Sequence, residues 1–327
     1  MENIDKMLNC GDPSFGGAMY VCTTCHNMKF VPFHCKSRFC PTCGVKYSQE
    51  RSTSMAFKLV NCTHRHCVFT IDEELRHFFL EDRSLLNCLF RAVQSVILHM
   101  FNKINKSQNF VPGFICVLHT FGRPLEWNPH IHCILSEGGF SGNAIWRPVK
   151  HFNYTYLRNA FQTALLNEME QHIGPSFKKI KAYIYHKDKN GFYVYAKPNL
   201  CDPNTVIKYI GRYLGRPVIA LKRIDSYDGK NVTFHYNRHE DNTYVKRTIP
   251  AIEFIKLLIQ HIPEKHFKMI RYYGLYARHR EIDTKLYRAI HKSKHRFSFP
   301  CLPLCGLFLS RVRRKSNFPI VVQKNPA

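Results

Sequence analysis

Two histidines flank a single isoleucine in the stretch NPHIHCILS, residues 128–136, and these histidines are His130 and His132. The stretch is typical of a β-strand, in which residues i and i+2 point to the same face. Both imidazoles are therefore predicted on one face, where they could bind one metal ion. The chain has 19 histidines in 327 residues, so about one His-x-His pair is expected by chance. The pair alone therefore does not indicate a metal site, and the neighbouring sequence must be considered.

The elements that must position these histidines can be read from the surrounding sequence. The segment FVPGFICVLHTFGRPLEWNPHIHCILSEGG predicts two strands, residues 114–121 and 129–136, joined by a turn around residues 123–127. The preceding segment LLNCLFRAVQSVILHMFNKIN has apolar residues at helical spacing and predicts a core helix. Both strands are apolar enough to be central in a sheet, where a buried imidazole needs a partner such as a metal ion.

A third metal ligand is expected from the neighbouring strand. If the hairpin register pairs His119 with His132, its ring joins the same face, whereas a shift of one residue sends it to the other face. Glu126 in the turn is the weaker alternative. A second His-x-His pair, His64 and His66, stands beside charged neighbours and is interpreted as solvated surface.

The cysteines near the N-terminus have the spacing of a zinc site. Two CxxC pairs, separated by 14 residues, have the pattern of a tetrahedral structural Zn²⁺ site: Cys22 with Cys25, and Cys40 with Cys43. An intracellular chain is not expected to carry a disulfide framework, because the cytosol keeps thiols reduced. Further ligands for a second site lie close by, although Cys10 and Cys35 could equally be buried free thiols: Cys10, His26, His34 and Cys35.

The segment TVIKYIGRYLGRPVIA, residues 205–220, predicts a helix that ends near Gly215. Tyr209 and Tyr213 are four residues apart and share one helical face. A phenol can act as a nucleophile when a cation stabilises its charge, and a covalent intermediate divides a phosphodiester exchange into two steps. Basic residues accompany the two tyrosines: Lys208, Arg212 and Arg216.

The charge of the chain indicates a polyphosphate partner. The formal net charge is +25, which is more than solubility requires. Residues 1–176 contain 17 basic and 13 acidic residues, whereas residues 177–327 contain 31 and 10, so the nucleic-acid surface is predicted mostly in the second half. Aromatic residues there suit stacking on unpaired bases, although at least half should belong to the core. Lys36 and Arg38 could add DNA contacts from the cysteine-rich segment.

Several classes of protein are disfavoured by the sequence. No run of about 18 apolar residues is present, and the N-terminus MENIDKML is unlike a secretory signal. The sequence contains neither the phosphate-binding pattern GxxxxGK[ST] nor a glycine-rich dinucleotide fingerprint. We therefore expect a cytoplasmic bacterial protein that associates with the nucleoid when bound to DNA, without a membrane or a nucleotide cofactor.

Four motifs in order resemble the HUH-type rolling-circle transposases of IS91-like insertion sequences with an N-terminal zinc-binding domain. The matching stretches are CTTC with CKSRFCPTCG, LHTFGRPLEWNPHIHCIL, VIKYIGRYLGRP and, more loosely, PAIEFIKLLIQHIPEKHFKMIRYYGLYARHR. The resemblance implies an α+β fold, in which a small zinc-binding module precedes a domain with a central antiparallel sheet and packed helices. The implied domains are residues 1–50 for zinc binding, 51–290 for the nuclease, and a basic tail over 291–327.

The same resemblance implies a metal-dependent strand transferase that acts on single-stranded DNA at transposon ends. His130 and His132 would hold Mg²⁺ or Mn²⁺ against the scissile phosphate. Tyr209 or Tyr213 would attack and form a 5′-phosphotyrosine link. The second tyrosine of this two-tyrosine variant could accept another strand, and host replication and helicase machinery would supply unwinding.

Two alternatives and one departure from the family pattern remain. The same chemistry serves rolling-circle plasmid or phage initiators and relaxases, and a non-catalytic zinc-ribbon DNA-binding protein would use His-x-His only structurally. The family commonly ends with a second cysteine pair, whereas CLPLCG separates Cys301 and Cys305 by three residues. That spacing is poor for a zinc site. An altered C-terminus would impair complete transposition and leave the nicking reaction intact.

Overall fold

The structure is a computed structural model of the 327-residue chain. The chain forms two compact units, residues 1–47 with 294–327, and residues 48–293. The predicted α+β class, with a cysteine cluster near the N-terminus and an antiparallel sheet with helices, is confirmed. The described residues are 2–21, 25–37, 40, 42–44, 46, 50, 59–60, 62–104, 110–141, 145–149, 152–201, 218–238, 241–277 and 320–323.

The described helices and strands occur in short groups along the chain. The helices are α1 (Glu2–Leu8), α2 (Arg76–Glu81), α3 (Leu86–Ile104), α4 (Tyr154–Ile173), α5 (Lys178–Lys187) and α6 (Ala251–Ile259). The strands are β1 (Gly17–Val21), β2 (Met28–Pro32), β3 (His64–Phe69), β4 (Phe110–Phe121), β5 (Trp127–Ser141), β6 (Trp146–Pro148), β7 (Val194–Cys201), β8 (Ile224–Tyr227), β9 (Asn231–Asn237), β10 (Tyr244–Pro250), β11 (Ile270–Gly274) and β12 (Ile320–Gln323).

Three antiparallel sheets connect the strands. The first unit contains the order β12-β1-β2, so residues 320–323 of the predicted C-terminal tail pair with β1. The second unit contains the large sheet, in the order β11-β4-β5-β3-β7 with β6 paired to β5, and the small sheet β10-β9-β8. The two predicted central strands are confirmed as β4 and β5, which are longer than predicted and pair along most of their length.

One face of the large sheet carries the main hydrophobic core. Alternate residues of β5, Ile131, Cys133 and Leu135, are buried in this core with residues of α3 and α4. A strand residue faces the same side as its second neighbour, so the residues between them are directed to the opposite face. His130 and His132 therefore lie on the face of the sheet away from α3 and α4.

The helix α3 confirms the predicted core helix. It buries ten side chains against the sheet and α4, among them Phe90, Val93 and Ile97. The segment Arg83–Ile104 is long and apolar enough, by length and composition, to cross a membrane. However, 61% of the 18-residue stretch that meets this test is buried inside the protein. The core therefore accounts for the apolar composition of this helix.

The small sheet is attached to the turn between β4 and β5. Arg123 in that turn donates from Nη1 to the backbone oxygens of Asn237 and Arg238, at 2.9 and 3.1 Å. Arg223 donates to the oxygen of Arg123 at 2.6 Å and to the oxygen of His235 at 2.9 Å. These hydrogen bonds hold the turn beside the end of β5 that carries His130.

The interpretation of His64 and His66 as solvated surface is wrong. Both lie in β3, which is paired with β5 on one side and β7 on the other, and their exposed fractions are 0% and 8%. Their charged neighbour Arg65 is also buried, and it forms an ion pair with Glu137 at 2.7 Å that compensates for the burial of its charge. A strand between two others is covered along both edges, which local composition did not reveal.

Candidate functional site

Three histidines converge on the face of the large sheet opposite the main core. One ring nitrogen each of His119, His130 and His132 lies within 4.8 Å of the others. The Nε2 atoms of His130 and His132 are 3.1 Å apart. Two ligands at about 2.1 Å from a metal, in adjacent octahedral positions, would be about 3.0 Å apart. The spacing of these nitrogen atoms therefore fits two ligands of one cation.

The register of the hairpin brings His119 into this set. Its partner on β5 is His130, which differs from the pairing with His132 that was considered from the sequence. The two registers differ by two residues, and a shift of two keeps a side chain on the same face. The ring centre of His119 lies 4.4 Å from that of His132 and 5.5 Å from that of His130.

The hydrogen bond of His130 determines which of its ring nitrogens is available. Nδ1 lies 2.7 Å from the backbone oxygen of Asn128. A carbonyl oxygen only accepts, so Nδ1 carries the proton and donates it. In the neutral ring the lone pair is then on Nε2, which points toward His132. His130 is thus held in the form that can bind a cation through Nε2.

Burial keeps His130 and His132 neutral. It lowers the pKa of His130 and, together with the neighbouring imidazoles, lowers the pKa of His132 well below its usual value. Burial, followed by the charge of His130, lowers the pKa of His66 to about 4. Neutral imidazole is the form that binds metals, so the buried environment favours coordination near neutral pH.

Glu126, the weaker alternative for the third ligand, lies outside the histidine set. Its Oε1 is 3.8 Å from Nη1 of Arg247, and 62% of its side chain is exposed. The set found among the described residues contains nitrogen donors only. Imidazole favours transition metals over Mg²⁺, so these donors fit Mn²⁺ better than Mg²⁺.

A buried histidine outside the set fastens the turn beside the site. His261 lies 2.9 Å through Nε2 from the oxygen of Leu125, and 3.1 Å through Nδ1 from the hydroxyl of Thr120. Leu125 has a φ of 71°, a left-handed conformation that costs energy for a branched side chain. His261 therefore stabilises a strained turn between the two strands that carry the ligands. His261 is 136 residues from Leu125 in the sequence, so no local pattern indicated this role.

The first unit contains a cluster of four cysteines. The sulfur atoms of Cys10, Cys35, Cys40 and Cys43 all lie within 4.8 Å of one another. Cys43 Sγ is 3.4 Å from that of Cys10 and 3.7 Å from that of Cys35. Zn²⁺ with four sulfurs at about 2.3 Å would set neighbouring sulfurs about 3.8 Å apart. The cluster therefore fits a tetrahedral zinc ion.

Backbone donors surround these sulfur atoms. The N–H groups of Cys35 and Ser37 donate to the sulfurs of Cys10 and Cys35, each at 3.4 Å. Lys36 between them has a φ of 54°, a left-handed conformation that forms the tight turn after Cys35. Such hydrogen bonds stabilise the negative charge that a thiolate ligand carries.

The membership of the cluster differs in part from the set expected from the CxxC spacing. Cys40 and Cys43 join Cys10 and Cys35, which were expected only as further ligands. Cys25 is exposed and lies outside the cluster, while Cys22 lies outside the described residues. The β1–β2 hairpin and the hydrogen bond from Gly11 N–H to Phe33 O, at 3.0 Å, bring the segment of Cys10 beside that of Cys35. The CxxC pattern reports only local spacing.

Replacing Cys43 with serine is expected to release the zinc ion and unfold the first unit, because structural zinc supplies about 10–16 kcal/mol in small zinc modules. Zinc content by atomic absorption and thermal melting would measure this. The matched control is Cys25→Ser, which should keep the zinc content of the parent protein. Loss of zinc from the Cys25 variant, with retention in the Cys43 variant, would contradict the membership of the cluster.

The predicted nucleophiles and most predicted DNA-binding residues lie outside the described residues. Lys36 is the described exception, and its side chain is exposed. The others are Arg38, Lys208, Tyr209, Arg212, Tyr213 and Arg216.

An exposed tyrosine, Tyr195, lies on the histidine face, which is the face of the large sheet that carries His130 and His132. Tyr195 is 40% exposed, and its partner on β3 is Val68, which pairs in turn with His132 on β5. Directly opposed residues of antiparallel strands share a face, so Tyr195 and His132 lie on the same side of the sheet, about 10 Å apart across two strand spacings. No sequence motif singles out Tyr195, whereas the strand order relates it to the site.

Comparison with known proteins gives four matches. Residues 113–283, more than half of the chain, match the family model Y2_Tnp, described as Putative transposase, and residues 1–71 match Zn_Tnp_IS91, described as Transposase zinc-binding domain. The chain is 28% identical over 292 residues to the Transposase for insertion sequence element IS801 of Pseudomonas savastanoi pv. phaseolicola, covering 85% of this chain and 70% of that relative. It is 28% identical over 293 residues to Putative transposase y4qJ of Sinorhizobium fredii, covering 83% and 73%. No solved structure matches the chain.

Proposed function

Since the chain belongs to the Y2_Tnp family of transposases and carries the zinc-binding domain of such proteins, we propose that it nicks and joins single-stranded DNA at transposon ends. The observation that carries this proposal is the convergence of the nitrogen donors of His119, His130 and His132 on one face of the sheet. A cation bound by these donors would polarise the scissile phosphate as a Lewis acid.

The reaction that we propose uses a tyrosine of the predicted 205–220 helix as the nucleophile. The hydroxyl oxygen of Tyr209 or Tyr213 attacks the phosphorus and loses its proton, and the P–O bond to the leaving 3′-oxygen breaks. The products are a 5′-phosphotyrosine link and a free 3′-OH. The ester keeps the phosphodiester energy, so a later 3′-OH can displace the tyrosine and rejoin the strand.

The protein's own residues would hold the reacting groups in position. The hydrogen bond from His130 to the Asn128 oxygen orients the imidazole, and the turn fastened by His261 keeps β4 and β5 in register. Fixed ligands lower the barrier because the scissile phosphate need not reorganise its surroundings during the reaction.

The domain organisation that we propose follows the sequence motifs. Residues 1–50 bind structural zinc, residues 51–290 form the nuclease, and residues 291–327 form a basic tail. Lys208, Arg212 and Arg216 would contact phosphates beside the nucleophiles, with Lys36 and Arg38 contributing from the zinc module. Host replication and helicase functions would supply the single-stranded DNA.

A denaturing gel tests the proposed reaction directly. The purified protein is incubated with labelled single strands that flank this gene's own locus, with Mn²⁺ or Mg²⁺ and with or without EDTA. We expect a labelled protein band that depends on the metal. Folded protein that binds the same DNA tightly without forming this band would favour the alternative of a DNA-binding protein without catalysis.

The path of the DNA strand makes a separate prediction about Tyr195. We expect the strand to cross the histidine face from His132 toward the exposed ring of Tyr195, where an unpaired base can stack. Tyr195→Ala should weaken binding of single-stranded DNA by about 5- to 150-fold, because base stacking contributes about 1–3 kcal/mol. Fluorescence anisotropy with a labelled oligonucleotide measures the affinity.

The matched control for this variant is Tyr183→Ala. Tyr183 is 51% exposed and lies on α5, a helix that packs on the main-core side of the sheet. Its replacement should leave the affinity unchanged. If the two variants lose the same amount of DNA affinity, the proposed stacking of a base on Tyr195 is contradicted.

A further inference from the structure

A buried histidine contacts His132 from outside the set of three donors. His66 Nε2 lies 2.9 Å from His132 Nδ1. The two rings are nearly parallel, at 11°, and their centres are 5.1 Å apart. The nitrogen atoms approach much more closely than the ring centres, so the hydrogen bond runs along the ring planes, the favoured direction for imidazole.

The register of β3 and β5 explains this contact. His132 pairs with Val68, and His66 pairs with Ile134, so the two histidines are diagonal neighbours on one face. Diagonal neighbours in an antiparallel pair lie within reach of aromatic side chains. His66 is 8% exposed, and the strands on both sides of β3 limit its movement.

The contact continues a chain of hydrogen-bonding groups, from the Asn128 oxygen through His130 and His132 to His66. His130 Nδ1 must carry a proton, because the Asn128 oxygen only accepts. His130 Nε2 is then a lone pair, 3.1 Å from His132 Nε2. Two lone pairs cannot face each other at this distance without a proton or a cation between them.

Two arrangements of protons satisfy this chain. Without a cation, His132 carries its proton on Nε2 and donates it to His130, so its Nδ1 accepts a proton from His66 Nε2. With a cation, the Nε2 lone pairs of His130 and His132 both point to it. His132 then carries its proton on Nδ1 and donates it to His66 Nε2. Each ring keeps one proton in both arrangements, so the net charge is unchanged.

We propose that His66 is a positioning residue for the metal site: when a cation takes the Nε2 lone pair of His132, His66 Nε2 accepts the proton on His132 Nδ1 and so stabilises the metal-binding tautomer. When the cation binds, the proton of His132 and that of His66 each move from Nε2 to Nδ1 by exchange with solvent. The inference rests on the proposed metal-binding role of His130 and His132. Outer partners of this kind orient the ligand and change metal affinity by about 10- to 100-fold when removed.

Two variants of His66 separate this role from packing. His66→Leu fills the space without a hydrogen-bonding group, whereas His66→Gln offers an oxygen that accepts and an N–H that donates. We expect His66→Leu to weaken Mn²⁺ binding by about 10- to 100-fold, measured by titration calorimetry. His66→Gln should recover most of the affinity. In the parent protein, nitrogen-15 spectra of the ring nitrogens should show both protons moving to Nδ1 on addition of Mg²⁺.

The matched control is His64→Leu. His64 is buried in the same strand, but its Nε2 contacts the Tyr276 hydroxyl at 2.6 Å and its Nδ1 contacts the Cys62 oxygen at 2.9 Å. This variant removes a buried histidine without touching the metal site. It should lower the melting temperature and leave Mn²⁺ affinity unchanged.

The outcomes distinguish this inference from the proposed function. If His132→Ala binds Mn²⁺ like the parent protein, the metal site itself is wrong. If His132→Ala loses binding while His66→Leu does not, only the role of His66 is wrong. Unchanged tautomers at a Mg²⁺ concentration that saturates the site would overturn the role of His66 as well. This measurement uses the parent protein, so it does not depend on whether His66→Leu folds.

Discussion

Replacing His132 with alanine is expected to lower the metal-dependent cleavage of single-stranded DNA by about 1000-fold, since loss of a Lewis-acid contact of about 4 kcal/mol slows a reaction by that factor. His132 has the central position in the site, with Nε2 3.1 Å from His130 and Nδ1 2.9 Å from His66. The measurement is the initial rate of oligonucleotide cleavage at saturating DNA, over a range of Mn²⁺ and Mg²⁺ concentrations.

Binding of DNA should survive this substitution. Burial lowers the pKa of His132 well below its usual value, so the ring is neutral near neutral pH and its removal deletes no positive charge. His99→Ala is the matched control, because His99 is exposed on α3, on the core-helix side of the sheet. A His132 variant that cleaves at the parent rate would exclude this site as the catalytic metal centre.

The metal preference gives the same experiment a second readout. The three donors are imidazole nitrogens, and such donors bind Mn²⁺ in preference to Mg²⁺. We therefore expect half-maximal cleavage at a lower concentration of Mn²⁺ than of Mg²⁺ in the parent protein. Equal concentration dependence for the two ions would point to further oxygen ligands.

The second large effect is expected from Tyr209→Phe combined with Tyr213→Phe, which should abolish the covalent protein–DNA product. Phenylalanine keeps the ring but removes the attacking oxygen, so no phosphotyrosine link can form. The affinity for DNA should change little, because two neutral hydroxyl groups contribute no net charge to phosphate binding. The labelled band on a denaturing gel reports the link, and anisotropy reports the affinity.

The single variants then assign the roles of the two tyrosines. If one phenol makes the first cut and the other accepts a second strand, only one single variant should lose the first adduct. Tyr183→Phe serves as the control for an exposed tyrosine on α5. Cleavage with a covalent adduct in the double variant would show that another residue is the nucleophile.

Sequence patterns predicted the strands and the core helix because each depends on local periodicity. The alternation around His130 and His132 placed both rings on one face, and the helical spacing of residues 86–104 placed an apolar face on the core. The zinc-binding character of the N-terminal region was likewise visible as cysteine spacing. These features need only the near neighbours of each residue.

Other features required the pairing of distant segments. His66 was assigned to the surface because its neighbours are charged, yet two flanking strands bury it and bring it to His132. Cys10 lies beside Cys40 and Cys43 in the cysteine cluster, where the sequence spacing had predicted Cys22 and Cys25. His261 fastens a turn that lies 136 residues away in sequence.

The family of the protein, its α+β class and the face on which the candidate ligands lie could be predicted from residue patterns. Which histidines and cysteines meet became known only from the folded chain, because strand periodicity sets the direction of a side chain, whereas strand order and register set its neighbours. Register depends on the sum of many contacts across the sheet, and no local pattern contains that sum.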